Sequence, residues 1–410
     1  MQFDIEATEG SARAGRLTFR RTAPRKDGLH AGAESETSCF TTPRKDGLRP
    51  AAGRATPGAE SDASSITIDT PVFMPVGTQA TVKAITQEDL EEIGFRLILG
   101  NTYHLYLRPG EDVIREAGGI HNFMSWPFAV LTDSGGYQAF SLSENVKLAD
   151  HGVIFRSHLD GSEHLFSPER TVAIQRAIGS DIMMPIDDCA PYPADEKRLK
   201  ESLVRTHRWL AECKQHWLRD PRHQKLFGIS QGGVNAALRA ESARAVSDLD
   251  LPGYAIGGLS VGEPLEHFVP SLGAAIEHLP QGKPRYVMGV GTIPEILNGV
   301  ELGVDMYDCV LPTRNARNGQ VFTSTGKVNL RNLKHARSDD AIDGECGCKV
   351  CKKYSLGYIR HLHKQSEILG LMLSTYHNLY FMYGFMKNMR NAIIAGKFAE
   401  YRAHWLGIFK

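Results

Sequence analysis

The apolar, β-prone run Val304–Asp305–Met306–Tyr307–Asp308–Cys309–Val310 carries a carboxylate near its end, and Pro312 then stops regular pairing. A polar loop with Arg314 and Arg317 is expected to follow. A bare carboxylate at the C-terminal end of a buried strand is costly, so Asp308 needs a partner or a chemical task. A satisfied structural Asp in a turn is the plain alternative, and only its neighbours can decide. Other short apolar runs end in the same way. Ala129–Thr132 leads into Asp133–Ser134–Gly135–Gly136, and Ile182–Ile186 into Asp187–Asp188–Cys189. Leu226–Ile229 leads into Ser230–Gln231–Gly232–Gly233, and Tyr254–Ile256 into Gly257–Gly258.

A second constellation is Cys346–Gly347–Cys348–Lys349–Val350–Cys351, followed by His377. Three thiolates and an imidazole suit tetrahedral zinc with no open position, which makes the site structural. His377 is expected to begin a helical segment that closes the site, with His361 and His363 as alternative fourth ligands. Around this cluster, residues 312–364 carry eleven Lys and Arg, among them Arg314, Arg317, Lys327, Arg331 and Lys334, against four acidic residues. Such a local excess fits phosphate-backbone binding, with a merely solvated surface as the alternative.

The elements that must position these residues follow a rhythm from residue 66 onward. Eight apolar runs (those above, with Val72–Val76, Leu97–Leu99 and Tyr286–Met288) are separated by helix-compatible stretches. The clearest are Thr86–Gly94, Pro168–Gly179, Ala194–Gln215, Ala236–Leu249 and Pro294–Gly303. Several begin after Ser, Thr, Asp or Pro and stop at Gly, as helix ends do. Continuous apolar strands alternating with helices mean a parallel sheet covered on the outside. Eight units with polar endings spread over most of them predict an α/β fold, a (β/α)8 barrel, whose strand C-termini converge on one face. Asp133, Asp187, Gln231, Gly257–Gly258 and Asp308 would meet across that mouth. Residues 1–21 read as a strand pair. Residues 22–65 repeat Pro-Arg-Lys-Asp-Gly-Leu and Gly-Ala-Glu-Ser and hold few large apolar side chains, which predicts a disordered insertion. The barrel is expected over 66–410, with a basic, zinc-binding subdomain at about 312–380.

Composition bounds the partners. Lys plus Arg and Asp plus Glu both number 47, so a nucleic-acid partner must be met by a local patch and not by global charge. No apolar run reaches 18 residues and the acidic N-terminus lacks an apolar core, so neither a membrane span nor a secretory signal is expected. Seven cysteines, three of them clustered, predict a reduced, cytoplasmic protein.

Taken in order, these motifs resemble the bacterial tRNA-guanine transglycosylases of the queuosine pathway, over about residues 1–21 and 67–410. The segments that carry the likeness are Thr70–Thr78, Gly100–Leu105, Asp133–Gln138, Phe227–Gly233, Gly257–Glu263, Asp308–Arg314 and the cysteine cluster. The resemblance implies exchange of guanine at the first anticodon position of tRNAs for Asp, Asn, His and Tyr. The incoming base would be 7-aminomethyl-7-deazaguanine. It implies Asp308 as nucleophile on the ribose anomeric carbon and Asp133 as the residue that holds the base and handles protons. Asp187, Gln231 and the Gly258 amide match the readers of the guanine edge. Leu259 matches the contact to the aminomethyl group, with Glu263 supporting that peptide. Tyr137 and Met288 match the residues that sandwich the base, and Cys189 and Val261 the bacterial pattern around its substituent. The zinc ligands fall on Cys346, Cys348, Cys351 and His377, one ion per chain. A homodimer is implied, with no nucleotide cofactor. The insertion at 22–65 departs from the family's tight hairpin. A non-catalytic paralogue would be expected to lack Asp308 or the base readers. A barrel metallohydrolase would need His or carboxylate metal ligands at the strand ends, where this chain has Asp, Gln and Gly.

Overall fold

The computed structural model describes residues 1–20, 65–136 and 146–409. The stretch 22–65, read as an insertion, lies outside the described residues except for Ser65, and so does Tyr137.

Nine short parallel strands make a nearly closed barrel: β1 (Val72–Gly77), β2 (Leu97–Gly100), β3 (Ala129–Thr132), β4 (Ile182–Met183), β5 (Lys225–Leu226), β6 (Gly228–Ser230), β7 (Tyr254–Ile256), β8 (Arg285–Val287) and β9 (Met306–Cys309). β5 and β6 are one apolar run parted at Phe227. There the chain changes neighbours: Phe227 N donates to Met183 O, and Gly228 N to Gly253 O. Eight runs therefore give nine strands. β9 pairs with β1, placing Asp308 opposite Met74.

The helices outside follow the capping chemistry. Ser167 accepts from Arg170 N ahead of the helix Pro168–Ile178, which ends on Gly179 at φ 79°. Thr292 and Glu295 form a reciprocal capping box at the helix Ile293–Glu301. Each such cap contributes about 1 kcal/mol. The helix expected over Ala194–Gln215 runs over Glu196–Arg219, because its buried stripe of Trp209, Leu210 and Cys213 continues to Trp217. The polar loop expected after Asp308 is instead a helix, Leu311–Arg317. Pro312 sits in its first turn, where the missing N–H would have had no intrahelical partner.

Strand alternation sorts the core. Met74, Val76, Leu99, Leu131, Met184, Ile229, Ala255, Tyr286 and Met306 belong to one buried cluster, the barrel interior. Phe73, Val130, Met183, Ile256, Val287 and Tyr307, one residue out of step, pack under the helices. A three-stranded antiparallel sheet of Gln2–Glu9, Ala12–Arg20 and Ser65–Thr70 adds Leu17, Phe19, Ile66 and Ile68 to the interior cluster. It stoppers the end of the barrel from which β8 and β9 start. Arg13 Nε donates to Asp305 Oδ1 at 2.8 Å, and the same carboxylate accepts from Arg285 N at 2.7 Å. Among the described residues no helix is long and apolar enough to cross a membrane.

Candidate active site and metal centre

The barrel interior is apolar up to its last layer and polar in the next. Two residues beyond Leu99, Leu131, Ile229, Tyr286 and Met306, on the same strand face, stand Asn101, Asp133, Gln231, Met288 and Asp308. A period of two thus lifts each from the packed plug to the open mouth. Asp133, Asp187 and Asp308 keep only 6%, 9% and 9% of their surface, and Gln231 keeps 2%.

Asp308 is held by one oxygen. Oδ1 accepts from the Tyr286 hydroxyl at 2.5 Å and from Gly289 N at 2.8 Å. Among the described residues nothing donates to Oδ2. Burial raises its pKa, and the two donors oppose that rise. Asp133 is held at both oxygens: Oδ2 accepts from Asn101 Nδ2 at 2.5 Å, and Oδ1 from Thr102 N at 2.9 Å and Gly135 N at 3.1 Å. Burial pushes its carboxyl up to about 6 against those hydrogen bonds, and the charge of Asp308 adds to the rise. Gly135 must be glycine: its φ is 77°, and a Cβ there would stand 2.8 Å from Tyr103 N.

Asp187 Oδ2 accepts from Gln231 Nε2 at 2.6 Å. Burial pushes its carboxyl up to about 7, with Asp188 and Asp133 adding repulsion. Asp188 is neutralised by Arg198 and Arg205, so the pair's second charge is tied to the helix Glu196–Arg219. Cys189 follows, its thiol pushed up to about 12 by burial, which makes it a packing group and not a thiolate. Leu259 is buried, Val261 and Met288 are half-buried, and the Glu263 carboxylate accepts from Ser260 N and, at 2.9 Å, from Val261 N. Tyr286, Gly289, Asn101 and Thr102 were not singled out by role from the sequence. The period-two alternation that places Met288 at the mouth could have found Tyr286 one layer below.

An acid whose folded pKa is raised binds more protons folded than unfolded between the two values, so it lowers stability as pH climbs. For Asp187 that loss begins near its ordinary value of 3.8 and is complete above about 7. Asp187→Asn keeps an acceptor for Gln231 and removes the charge. At pH 8 it should melt about 2–4 °C higher than wild type, a gain of about 1 kcal/mol. The gain should vanish at pH 4. Scanning calorimetry at both pH values checks this; an equal difference at both would remove the electrostatic cause.

The metal centre lies in the C-terminal region. The ligand atoms of Cys346, Cys348, Cys351 and His377 lie within 4.8 Å of one another. His377 Nδ1 is 3.8, 3.7 and 3.3 Å from the three sulfurs in chain order. Tetrahedral zinc, with bonds of about 2.3 Å to sulfur and about 2.0 Å to nitrogen, would set such atoms roughly 3.5 Å apart, so the cluster fits that ion. His377 Nε2 lies 2.8 Å from Phe322 O, a pure acceptor, which leaves Nδ1 as the lone pair facing the thiols. His377 does not begin a helix, as the sequence suggested; it sits well inside Ile368–Ile394, whose apolar faces run unbroken past it. Of the two alternatives, His363 is spent on Ser374 Oγ at 2.7 Å, and neither it nor His361 belongs to the cluster. Asn378, next to His377, donates to Pro312 O at 2.9 Å. The centre is thereby tied to the helix that follows Asp308. Arg314 on that helix is exposed and Arg317 half-buried, while Lys327, Arg331 and Lys334 lie exposed on the segment that leads to the cysteines.

The queuine tRNA-ribosyltransferase family model matches residues 58–409. The queuine tRNA-ribosyltransferase of Leptospira biflexa is 56% identical over 348 residues, covering 85% of this chain and 94% of that protein. Those of Ruminiclostridium cellulolyticum and Caldanaerobacter subterraneus subsp. tengcongensis are 54% and 53% identical, covering 82% and 83% of this chain and 89% and 90% of their own. With a matching model over most of its length and relatives this similar, the chain belongs to the queuine tRNA-ribosyltransferase family, a family of pentosyltransferases.

Proposed function

We propose that the protein exchanges guanine at the wobble position of tRNAs for Asp, Asn, His and Tyr for free 7-aminomethyl-7-deazaguanine, in queuosine biosynthesis. The observation that carries this reading is the one-sided anchoring of Asp308. Both of its donors grip Oδ1, so Oδ2 keeps its lone pairs. In the first step Oδ2 bonds to the ribose anomeric carbon, and the bond from that carbon to the base nitrogen breaks. Guanine leaves with the electron pair and takes up a proton. In the second step the incoming base loses its ring N–H proton and bonds to the same carbon, and the Asp308 carboxylate departs. Two displacements return the original configuration. Asp133, poised at about 6 beside Asp308, is suited to hold the proton between the steps. The base must leave the anticodon stack to reach carboxylates this deep.

Asp187, Gln231 and the Gly258 amide read the guanine edge in this proposal, with Leu259 and Glu263 at the aminomethyl group and Met288 and Tyr137 against the ring faces. Arg314, Arg317, Lys327, Arg331 and Lys334 meet the phosphates of the anticodon arm. The ion at the cysteine cluster is one structural zinc. A homodimer and a cytoplasmic setting go with the family resemblance, as do the domain limits read from the sequence.

The direct test is incubation with unmodified tRNA and labelled guanine, then with the 7-deaza base. Incorporation of the first and its displacement by the second is expected; a protein that labels no tRNA is not this enzyme. Selectivity should sit at Cys189 and Val261. Cys189→Phe adds a ring to a half-buried position and should cut use of the 7-substituted base by about tenfold or more, with guanine exchange less affected. Equal use of both bases by the variant would move the substituent pocket elsewhere.

A further inference from the structure

Arg239 is fully buried, yet no carboxylate pairs with it among the described residues. Its guanidinium is spent on three backbone carbonyls from two barrel loops. Nε donates to Gly233 O at 2.7 Å, Nη1 to Gly257 O at 2.7 Å and Nη2 to Gly258 O at 2.8 Å. Burial lowers its pKa to about 10, so it stays charged at neutral pH. A buried, unpaired cation is expensive, and three neutral acceptors are weak compensation. A purely structural strut between two loops could have been built without the charge.

The geometry of one peptide unit shows what the charge can do. The bond between Gly257 and Gly258 offers its C=O to Arg239. In a trans peptide the N–H points the opposite way, away from the guanidinium. Among the described residues nothing accepts from the Gly258 N–H. The Gln231 amide lies against the same two glycines: a Cβ at Gly257 would meet its Nε2 at 2.6 Å, and one at Gly258 its Oε1 at 2.3 Å. Gly258 also holds φ +64°, which fixes glycine there. A cation hydrogen-bonded to a carbonyl polarises the N–H of that peptide, because chained hydrogen bonds strengthen one another.

Resting on the guanine-exchange reading above, we propose that Arg239 is a positioning residue that turns the Gly258 N–H into a charge-assisted donor for the 6-carbonyl of the departing base. As the bond to the ribose breaks, the electron pair left on guanine delocalises on to that carbonyl. A preorganised, polarised donor there acts most strongly in the transition state. The guanidinium also fixes the Gln231 loop, through Gly233, and the Gly258 loop in one register, so both readers meet the same base edge.

The test uses the zinc-replete full chain with Arg239→Lys and Arg239→Gln. Labelled-guanine exchange gives kcat and KM for tRNA, and direct titration gives the affinities for guanine and for 2-aminopurine, which lacks the 6-carbonyl. In folded variants kcat should fall about 10–100-fold with KM for tRNA unchanged, less than the roughly 100–1,000-fold cost of losing an oxyanion donor outright, because the Gly258 N–H itself remains. Guanine affinity should fall while 2-aminopurine affinity holds, with Lys retaining more of both kcat and guanine affinity than Gln. Equal losses for both bases, or unchanged kcat, would overturn the proposal. If Gln does not fold, Lys decides; if neither folds, Arg239 is a structural strut and the proposal is overturned. A wild type that exchanges no guanine would instead overturn the underlying functional reading.

Discussion

Asp308→Asn should abolish base exchange while tRNA binding stays within a few-fold of wild type. The substitution keeps the size of the side chain and an acceptor for Tyr286 and Gly289 N, which grip one oxygen only. What it removes is the free carboxylate oxygen. An amide is a very poor nucleophile toward an anomeric carbon, and removing the nucleophile of another two-step enzyme costs on the order of a million-fold in kcat. A loss of at least about a thousandfold is expected here, measured as labelled guanine entering tRNA. Binding should survive because, in the proposed reading, affinity comes mainly from phosphate contacts by the exposed Arg314, Lys327, Arg331 and Lys334, none of which the substitution touches. The dissociation constant should therefore weaken steeply with salt, in wild type and variant alike. Burial raises the pKa of Asp308, so Asp308→Asn also removes a strained charge, and the variant should be no less stable than wild type at pH 8.

Cys348→Ser should have the largest effect on stability. Cys348 is fully buried, and its sulfur accepts from Cys351 N at 3.3 Å at the start of the short helix Lys349–Lys353. Structural zinc contributes on the order of 10–16 kcal/mol to the folding of small zinc modules, and each ligand is needed to complete the tetrahedron. Loss of the ion should release the His377 ring from Phe322 O and loosen Asn378 from Pro312 O, so disorder should reach the helix that bears Arg314 and Arg317. The expected result is less than about half the wild-type zinc and a melting temperature lower by roughly 10 °C or more, with tRNA affinity falling too. Metal analysis and a thermal scan on the same sample check both. Full zinc in Cys348→Ser would show that another residue closes the site.

These contrasts track what a linear sequence can carry. Continuous apolar runs such as Ala129–Thr132 and Tyr254–Ile256 exposed the barrel strands, because parallel strands buried on both faces are apolar at nearly every position. The cap at Ser167 lies directly before the stretch expected to be helical, Pro168–Gly179, since its bond spans three residues, whereas Thr292, the cap of Ile293–Glu301, fell outside the expected Pro294–Gly303. Pro312 misled: the same ring that breaks a sheet is favoured in the first turn of a helix, and only the fold selects between them. The partners of the mouth residues were illegible for a different reason. Tyr286 meets Asp308 across 22 positions, Asn101 meets Asp133 across 32, and Arg239 meets Gly257 across 18. Such bonds are made by the closing of the barrel, and residue type alone does not announce them. His377 was legible as a ligand type, but its place inside a long helix depended on how Ile368–Ile394 packs against the rest of the chain.

The most direct measurement is capture of the covalent species on Asp308. Wild-type protein mixed with unmodified tRNA and denatured without reduction should yield a slow-migrating protein–RNA adduct. Nuclease and protease digestion followed by mass spectrometry should place a ribosyl group on the peptide that contains Asp308. Asp308→Asn should give no adduct under the same conditions. An adduct that persists in Asp308→Asn, or maps to Asp133, would make Asp308 a structural carboxylate and overturn its assignment as the nucleophile.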